Sequence, residues 1–275
     1  MTCLMRPLFP SELLVVQTAY PGCLIWPIRI DLVFWCSAYM WKWATAAIVT
    51  AAGLAGCGSA GHVVPAQLQA ALVMARPVAG TASTSYTNWA GYAVGGGPFQ
   101  SVSAYWTVPA GHCGTGESQA AFWVGLDMTT VEQTGVALDC SNGARSYSGW
   151  YQMYPSAPVG LRNRVKAGDH MMGSVSYRNG GRFTLTLADI TEHWTRTVTA
   201  ISHRSPRATA EVISEASYGP LANFGTVHFF DARVNGHLIS AGRPERIDMV
   251  ASGRERAATG GLRPGSNFGV TWRHG

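Results

Sequence analysis

The segment Ala121–Leu138, AFWVGLDMTTVEQTGVAL, decides the fold because its side chains divide into two unlike sets. Successive side chains of a β-strand point to opposite faces of the sheet. One set is almost entirely apolar and comprises Phe122, Val124, Leu126, Thr134, Val136 and Leu138. The other set comprises Trp123, Gly125, Asp127, Gln133, Gly135 and Ala137. The pattern predicts two neighbouring strands of a β-sandwich, with one face in the core and a functional site on the other, concave face.

The composition is that of a folded, β-rich protein. Of 275 residues, 47% are hydrophobic, which is enough for one large β domain or two ordinary ones, and only 13% are charged. The 32 Gly, 10 Trp and 10 Tyr favour strands and tight turns over helices. The net charge of +5 comes from scattered arginines rather than from a basic run, so a nucleic-acid partner is not expected.

Residues 1–57 predict export rather than a folded domain. The apolar pieces of residues 1–39 are short of the roughly 20 residues of a spanning helix, and this segment is expected to be a non-native upstream extension. Residues 40–57 have the form of a bacterial lipoprotein signal, with an apolar run that ends in Leu-Ala-Gly before Cys57. Cys57 is therefore the expected lipidation site, and the lipid on this residue is expected to be the only attachment to a membrane. An ordinary signal peptide and an uncleaved anchor are the alternatives, and each exports the rest to the cell envelope or the medium.

Residues 83–275 predict one all-β domain. The preceding segment, residues 58–82, is rich in Gly, Ala, Ser and Pro and predicts a flexible tether or a short pro-segment. Beyond it, strand-like segments recur at roughly regular intervals, as in a sandwich. Apart from the central pair they are SVSAYWTV, ARSYSGWYQMY, HMMGSVSY, GRFTLTLADI, TRTVTAIS, TAEVISEA, TVHFFDARV, RIDMVAS and NFGVTWRH.

Two cysteines, Cys113 and Cys140, fall within the exported domain and flank the central pair of strands. A pair of cysteines in an oxidising compartment is most simply a disulfide. No histidine stands at zinc-ligand spacing from either of them, so no metal site is expected.

Several further motifs carry polar groups among aromatic residues. In chain order with the central stretch they are NWAGY, AFWVGLD, QTGV, WYQMYP, KAGD, AEVISE and LANFGTV. Together, and in this order, they resemble the glutamic peptidases, or eqolisins, over nearly all of residues 85–275. The resemblance implies a concanavalin-like, jelly-roll-like sandwich of two antiparallel sheets and an acid-active endopeptidase. It further implies a polypeptide substrate, a monomer and no cofactor.

The resemblance also assigns the site. It places the catalytic pair at Gln133, in QTGV, and at Glu211, in AEVISE. Supporting residues are the cleft-floor Trp89 and Trp123, the orienting Asp127, the flap residue Tyr154, and Gln152. The residue types suit the chemistry by themselves. A carboxylate can take a proton from water and return it to a leaving nitrogen. A carboxamide can donate hydrogen bonds to an oxyanion, and no covalent intermediate is needed.

The chain departs from the family pattern in three places. Gln152 stands where the family usually has Glu, so a supporting carboxylate is lost. Val212 replaces a Trp and is expected to widen a subsite, and Met128 lies in a short turn where Gly is usual. Of the remaining acids, Glu215 is interpreted as a surface or supporting residue and Asp169 as a turn residue.

Two alternatives use the same sandwich. A glycoside hydrolase is suggested by two carboxylates four residues apart in EVISE. A regular strand would separate them by roughly 13 Å, whereas retaining catalysis needs about 5–5.5 Å. A lectin-like module, in which Trp and Tyr rings stack on sugars, is the non-enzymatic alternative.

Overall fold

The computed structural model describes residues 84–275 and the backbone of residues 77–78. In chain order the strands are β1 (Pro77–Val78), β2 (Thr84–Tyr86), β3 (Trp89–Gly95), β4 (Ser101–Thr107), β5 (Ser118–Leu126), β6 (Glu132–Ser141), β7 (Ala144–Met153), β8 (Val159–Arg164), β9 (His170–Arg178), β10 (Arg182–Asp189), β11 (Trp194–Ile201), β12 (Thr209–Glu215), β13 (Thr226–Val234), β14 (His237–Leu238), β15 (Glu245–Ala251), β16 (Arg254–Thr259) and β17 (Phe268–Trp272). A short 3-10 helix, Ile239–Gly242, follows β14.

The predicted upstream extension (1–39) and the predicted signal with Cys57 (40–57) lie outside the described residues. So does the predicted tether (58–82), apart from residues 77–78. Over the part of the chain that the structure describes, no helix is long and apolar enough to cross a membrane.

The strands form two stacked antiparallel sheets, as predicted. The first, called the site sheet below, has the order β8-β7-β6-β5-β12-β3-β15. The second, called the back sheet, has the order β11-β10-β9-β4-β13-β17-β16. The β15–β16 hairpin joins the two sheets through a register shift. β2 runs parallel to β15, and β1 pairs with β2.

The apolar set of the central stretch faces the core between the sheets. Phe122, Val124 and Leu126 of β5 are fully buried there beside Val136 and Leu138 of β6. The back sheet contributes Trp106, Met171, Phe183 and Phe229 to the same cluster. Burial of each such side chain stabilises the fold by about 1.5–3 kcal/mol relative to exposure. The alternation read from the sequence therefore places the correct face in the core.

The opposite face of the site sheet carries a second apolar cluster. It comprises Tyr86, Trp89, Ala93, Ala121, Trp123, Val131, Ala137, Trp150, Ile213 and Ile247. The rings of Trp89 and Trp123 meet edge to face, with centroids 5.0 Å apart, an arrangement that aromatic pairs prefer. The polar set of the central stretch lies on this face.

The strand-like segments found in the sequence all correspond to strands, but the sequence pattern omitted several others. β3 carries the NWAGY motif but no strand pattern, because six of its seven residues are buried and show no alternation. β8 is an edge strand with a largely exposed or half-exposed sequence. Short strands such as β14 and β16 have too few residues for a periodic signal.

The predicted disulfide is present. Cys113, in the loop before β5, is bonded to Cys140 near the end of β6, with 5.3 Å between their Cα atoms. The bond closes a loop with a sequence separation of 27. A loop of this size gives an entropic stabilisation of about 3–4 kcal/mol. It fixes the ends of the β5–β6 unit on which the predicted site stands.

Candidate active site

Cross-strand pairing places Glu211, Gly125 and Gln133 in one row of the site sheet. Glu211 of β12 is directly opposite Gly125 of β5, and Gly125 is directly opposite Gln133 of β6. Two strand spacings separate the outer residues by about 10 Å at the backbone. Because glycine has no side chain, none from β5 stands between them. The structure therefore brings together the two residues that the resemblance selected.

The space above Gly125 is already filled from its sides. A Cβ atom there would lie 2.9 Å from Cζ3 of Trp123, 3.0 Å from Cγ1 of Val131 and 3.3 Å from Cβ of Gln133. Such distances are shorter than ordinary van der Waals contact. The packing around the row thus requires glycine at this position.

Glu211 is a fully buried carboxyl group. Among the described residues, neither of its carboxylate oxygens has a hydrogen-bond partner within geometric limits. Burial raises the pKa of Glu211 well above its usual range, and the negative charges of Asp127 and Glu132 raise it further. The Thr209 hydroxyl lowers it somewhat, from a position outside hydrogen-bond geometry. A buried acid whose oxygens accept no hydrogen bond can still bind a water molecule, and such a group is a candidate for proton exchange with that water.

Gln133 is also fully buried, and its amide has one defined partner. Its Nε2 donates a hydrogen bond to Oε1 of Gln152, which lies directly opposite on β7, at 2.8 Å. Nε2 of Gln152 in turn donates to the carbonyl oxygen of Ser156 at 2.7 Å. The Ser156 carbonyl can only accept, so it fixes which end of Gln152 faces Gln133. One of the two Nε2 hydrogens of Gln133 then remains for another acceptor.

Glu215 follows Glu211 by four residues in β12. The two side chains lie on the same face, with Ile213 between them. Oε1 accepts a hydrogen bond from Nδ2 of Asn88 at 3.2 Å, and Oε2 accepts one from Nε1 of Trp123 at 2.9 Å. Burial raises the pKa of Glu215 to about 8, although hydrogen bonds from Trp89, Trp123 and Asn88 act against this rise. Of the two interpretations of Glu215, the surface acid is wrong because the residue is fully buried, and the supporting acid stays a prediction.

Comparison with known proteins identifies the family of the chain. Residues 87–271 match the Peptidase A4 family. The chain belongs to this family. It is 30% identical to scytalidopepsin B of Scytalidium lignicola over 166 residues, which are 54% of this chain and 62% of that protein. It is 27% identical to aspergillopepsin-2 of Aspergillus niger over 137 residues, 41% of this chain and 49% of that protein. The matches thus span less than two thirds of these relatives' lengths.

The fold is also that of a solved family member. A crystal structure of scytalido-glutamic peptidase with a transition state analog inhibitor superimposes with a TM-score of 0.60 and 24% sequence identity. The match covers 68% of this chain and 98% of that one. At this identity the comparison bears on the fold alone, and it agrees with the two-sheet sandwich described above.

Asp127 organises the turn between β5 and β6 in this peptidase A4 chain. Its Oδ1 accepts hydrogen bonds from the backbone N–H groups of Thr129 and Thr130, and its Oδ2 accepts one from Ala208 N at 3.0 Å. Burial by itself would raise the pKa of Asp127, but the hydrogen bonds from Thr129, Ala208 and Thr130 lower it below its usual value. Asp127 therefore ties the turn before Gln133 to the residues that enter β12.

Of the remaining positions, Val212 does not lie with the pair. Val212 points into the core between the sheets, so the expectation that it widens a subsite is wrong. Tyr154 lies just beyond β7, half-buried, and its backbone N–H donates to Val131 O at 3.1 Å. Asp169 is the predicted turn residue, since its Oδ2 accepts from Lys166 N at 2.6 Å.

The sequence reasoning missed two groups near the peptidase A4 site. Glu132 is fully buried on the face opposite Gln133, and its Oε2 accepts from Oγ of Ser205 at 2.7 Å. Burial raises the pKa of Glu132 to about 7. Tyr86 stacks on Trp89, and burial together with the charges of Glu245 and Glu211 raises its pKa. The only sequence signals were an acid directly before Gln133 and a Tyr just before NWAGY.

No metal site accompanies these groups in the described range. Within residues 84–275, no three His, Cys, Asp or Glu side chains are grouped closely enough to bind a metal ion.

Proposed function

We propose that this chain is an endopeptidase in which Glu211 and Gln133 act on a water molecule and a peptide bond. The observation that carries the proposal is the pair itself. A buried carboxyl without partners and a buried, oriented carboxamide share one face, with only Gly125 between them. Membership of the Peptidase A4 family supports peptide-bond hydrolysis, and its name and those of the relatives point to polypeptide substrates.

The proposed reaction needs one proton to move twice. Ionised Glu211 takes a proton from water while the water oxygen bonds to the peptide carbonyl carbon. The carbonyl oxygen becomes an oxyanion, and the free Nε2–H of Gln133 donates a hydrogen bond to it. When the C–N bond breaks, Glu211 gives its proton to the leaving nitrogen and returns to the carboxylate. The products are a carboxylic acid and an amine.

The surroundings of the pair suit these roles. The acceptor at Gln152 holds the Gln133 amide by the same kind of hydrogen bond that a Glu would offer, so the departure from the family pattern preserves the contact. The raised pKa of Glu211 makes its carboxyl a ready proton carrier, but the ionised form that starts the reaction becomes scarce at low pH. The acid limb of the pH profile is therefore set by Glu211, and the optimum below neutral pH rests on the family resemblance. The alkaline limb is set by ionisation of the other buried acids.

The two alternatives are not favoured. For a glycoside hydrolase, Glu215 would have to share the chemistry, yet its carboxylate is already engaged by Trp123 and Asn88. For a lectin, aromatic rings would have to be exposed to stack on sugars. Trp89, Trp123 and Trp150 have at most 2% of their surface exposed.

The decisive test is the isosteric change Glu211→Gln in the purified protein, assayed on an unfolded protein substrate across pH 3–8. It removes the proton acceptor and keeps the shape. Turnover should therefore fall to background, while the variant still folds and shows a cooperative thermal unfolding transition. Glu132→Gln is the matched control, because it changes a buried acid next in sequence to Gln133 but on the other face, and it should stay active. Gln133→Ala should lower kcat by about 10². An active Glu211→Gln variant would overturn the assignment.

We also propose that the domain is exported and held to the cell envelope by a lipid on Cys57. The Leu-Ala-Gly-Cys sequence supports lipidation, and the Cys113–Cys140 bond suits an oxidising compartment. Mass spectrometry of the membrane fraction should find an acylated Cys57. Recovery of the protein from the medium with an unmodified N-terminus would contradict the anchor.

A further inference from the structure

A cavity of about 460 Å³ lies at the opposite end of β7 from Gln152. It is lined by Arg145, Ser146, Tyr147, Arg164, Val165, Lys166 and Ala167. Arg145 precedes Gln152 by seven residues on the same strand, which is about 24 Å of extended chain. Because the offset is odd, Arg145 and Gln152 point to opposite faces of the site sheet, and the cavity is separate from the Glu211–Gln133 row.

The lining is strongly cationic. Three of its side chains, Arg145, Arg164 and Lys166, carry a positive charge. Lys166 pairs with Glu192, and over the described residues no carboxylate is within ion-pair distance of the two arginines. Nη1 of Arg145 donates to the carbonyl oxygen of Gly111 at 2.9 Å, which positions the guanidinium without neutralising it. The Glu192 carboxylate also acts on Arg164, so three cationic side chains share one nearby acid and leave a positive balance in one concave space, an arrangement that favours an anionic ligand.

The wall of the cavity also includes an unpaired strand edge. β8 pairs with β7 only between Ser148 and Tyr151. The preceding residues of β7, from Ala144 to Tyr147, pair with β6 on one side, and no described strand pairs with their other side. Such an edge offers backbone N–H and C=O groups to an added extended chain. A compact inorganic anion could use the arginines but not this edge.

We propose that this cavity, Arg145–Tyr147 with Arg164–Ala167, is an exosite that binds an acidic, extended segment of the polypeptide substrate. It rests on the proposed function, since it assumes that the substrate is a polypeptide. Aspartate and glutamate side chains meet the two guanidinium groups, and the segment's backbone pairs with the free edge of β7. A substrate chain that joins the two sites has to span the length of β7 and pass its edge, so the segment lies more than about seven residues from the bond that is cleaved. The exosite therefore favours substrates with an acidic stretch beyond that distance.

The test compares two peptides with one cleavable sequence, one ending in four Glu and the other in four Gln, at pH 5.5 and low salt. At this pH glutamate is ionised. Exposed ion pairs are individually weak, so we expect about a tenfold lower KM for the Glu-tailed peptide and an equal kcat. High salt should remove the difference.

The variant Arg145→Gln/Arg164→Gln should remove the preference for the Glu tail and leave the Gln-tailed peptide unaffected. Arg178→Gln/Arg182→Gln is the charge-matched control, because these exposed arginines pair across β9 and β10 outside the cavity, and it should keep the preference. Equal KM values in the unaltered protein, or a preference that survives in the cavity variant, would overturn the proposal.

A binding measurement separates this proposal from the proposed function. Fluorescence anisotropy with the Glu211→Gln protein should show tighter binding of the Glu-tailed than of the Gln-tailed peptide, whether or not cleavage occurs. Equal binding refutes the exosite and leaves the peptidase proposal standing. Preferential binding by the Glu211→Gln protein, together with no cleavage of either peptide by the unaltered protein, supports the exosite and refutes the peptidase proposal.

Discussion

Replacing Gly125 by alanine tests the row that joins Glu211 to Gln133. The added methyl group would lie 2.9 Å from Trp123 and 3.0 Å from Val131, where ordinary contacts are 3.4–4 Å. These neighbours would have to move by roughly 0.5–1 Å. Trp123 has little freedom to move, since its Nε1 donates to Glu215 at 2.9 Å and its ring packs against Trp89.

The strain has two expected consequences. Overpacking of this kind typically costs about 1–3 kcal/mol of folding free energy. A misplacement of catalytic groups by about 1 Å typically lowers the rate by about 10²-fold. We therefore expect Gly125→Ala to fold, with a melting temperature lowered by several degrees. Its kcat should fall by about 10² while KM changes little.

Two control variants separate the site effect from the stability effect. Val124→Ala deletes methyl groups from the core face of the same strand, costs about 2 kcal/mol, and should keep its kcat. Gly116→Ala, where a Cβ meets nothing within 4 Å, should match the unaltered protein. The assay is initial-rate hydrolysis of a quenched fluorescent peptide, with thermal melting of each variant. A Gly125→Ala variant with normal kcat, or a Val124→Ala variant with the same loss of kcat, would refute the argument.

Three further perturbations test other parts of the site and fold. Gln152→Glu should keep activity at low pH, where the new carboxyl is protonated and can donate to Ser156 O. Activity should fall as that carboxyl ionises, because both it and Ser156 O are then acceptors. Superimposable pH profiles of kcat for the variant and the unaltered protein would contradict this. The raised pKa values of Glu132, about 7, and Glu215, about 8, mean that their contribution to stability is complete below about pH 4.5. It is lost as pH rises through 7 and 8, so urea unfolding should show lower stability at pH 8 than at pH 4, and the reverse order would be incompatible with these shifts. Replacing both cysteines of the disulfide by serine should cost about 3–4 kcal/mol in urea unfolding, whereas two titratable thiols in the native, unaltered domain would show that no bond forms.

The sequence by itself determined the features that depend on local alternation. The side chains of β5 and β6 take the two faces that their spacing predicts, because neighbouring residues of a strand must point in opposite directions. Cys113 and Cys140 could be paired because residues 83–275 contain no other cysteine. The order of several motifs indicated the family, and with it Gln133 and Glu211.

The tertiary structure decided which strands are neighbours and which charges are buried. Gln133 and Glu211 are far apart in sequence, and they share a row only because β12 inserts beside β5 with Gly125 in register. The direction of Val212 and the burial of Glu215 likewise depend on which sheet covers each face of β12. Desolvation by residues distant in the chain sets the pKa values of these acids, and no local pattern of residue types records it.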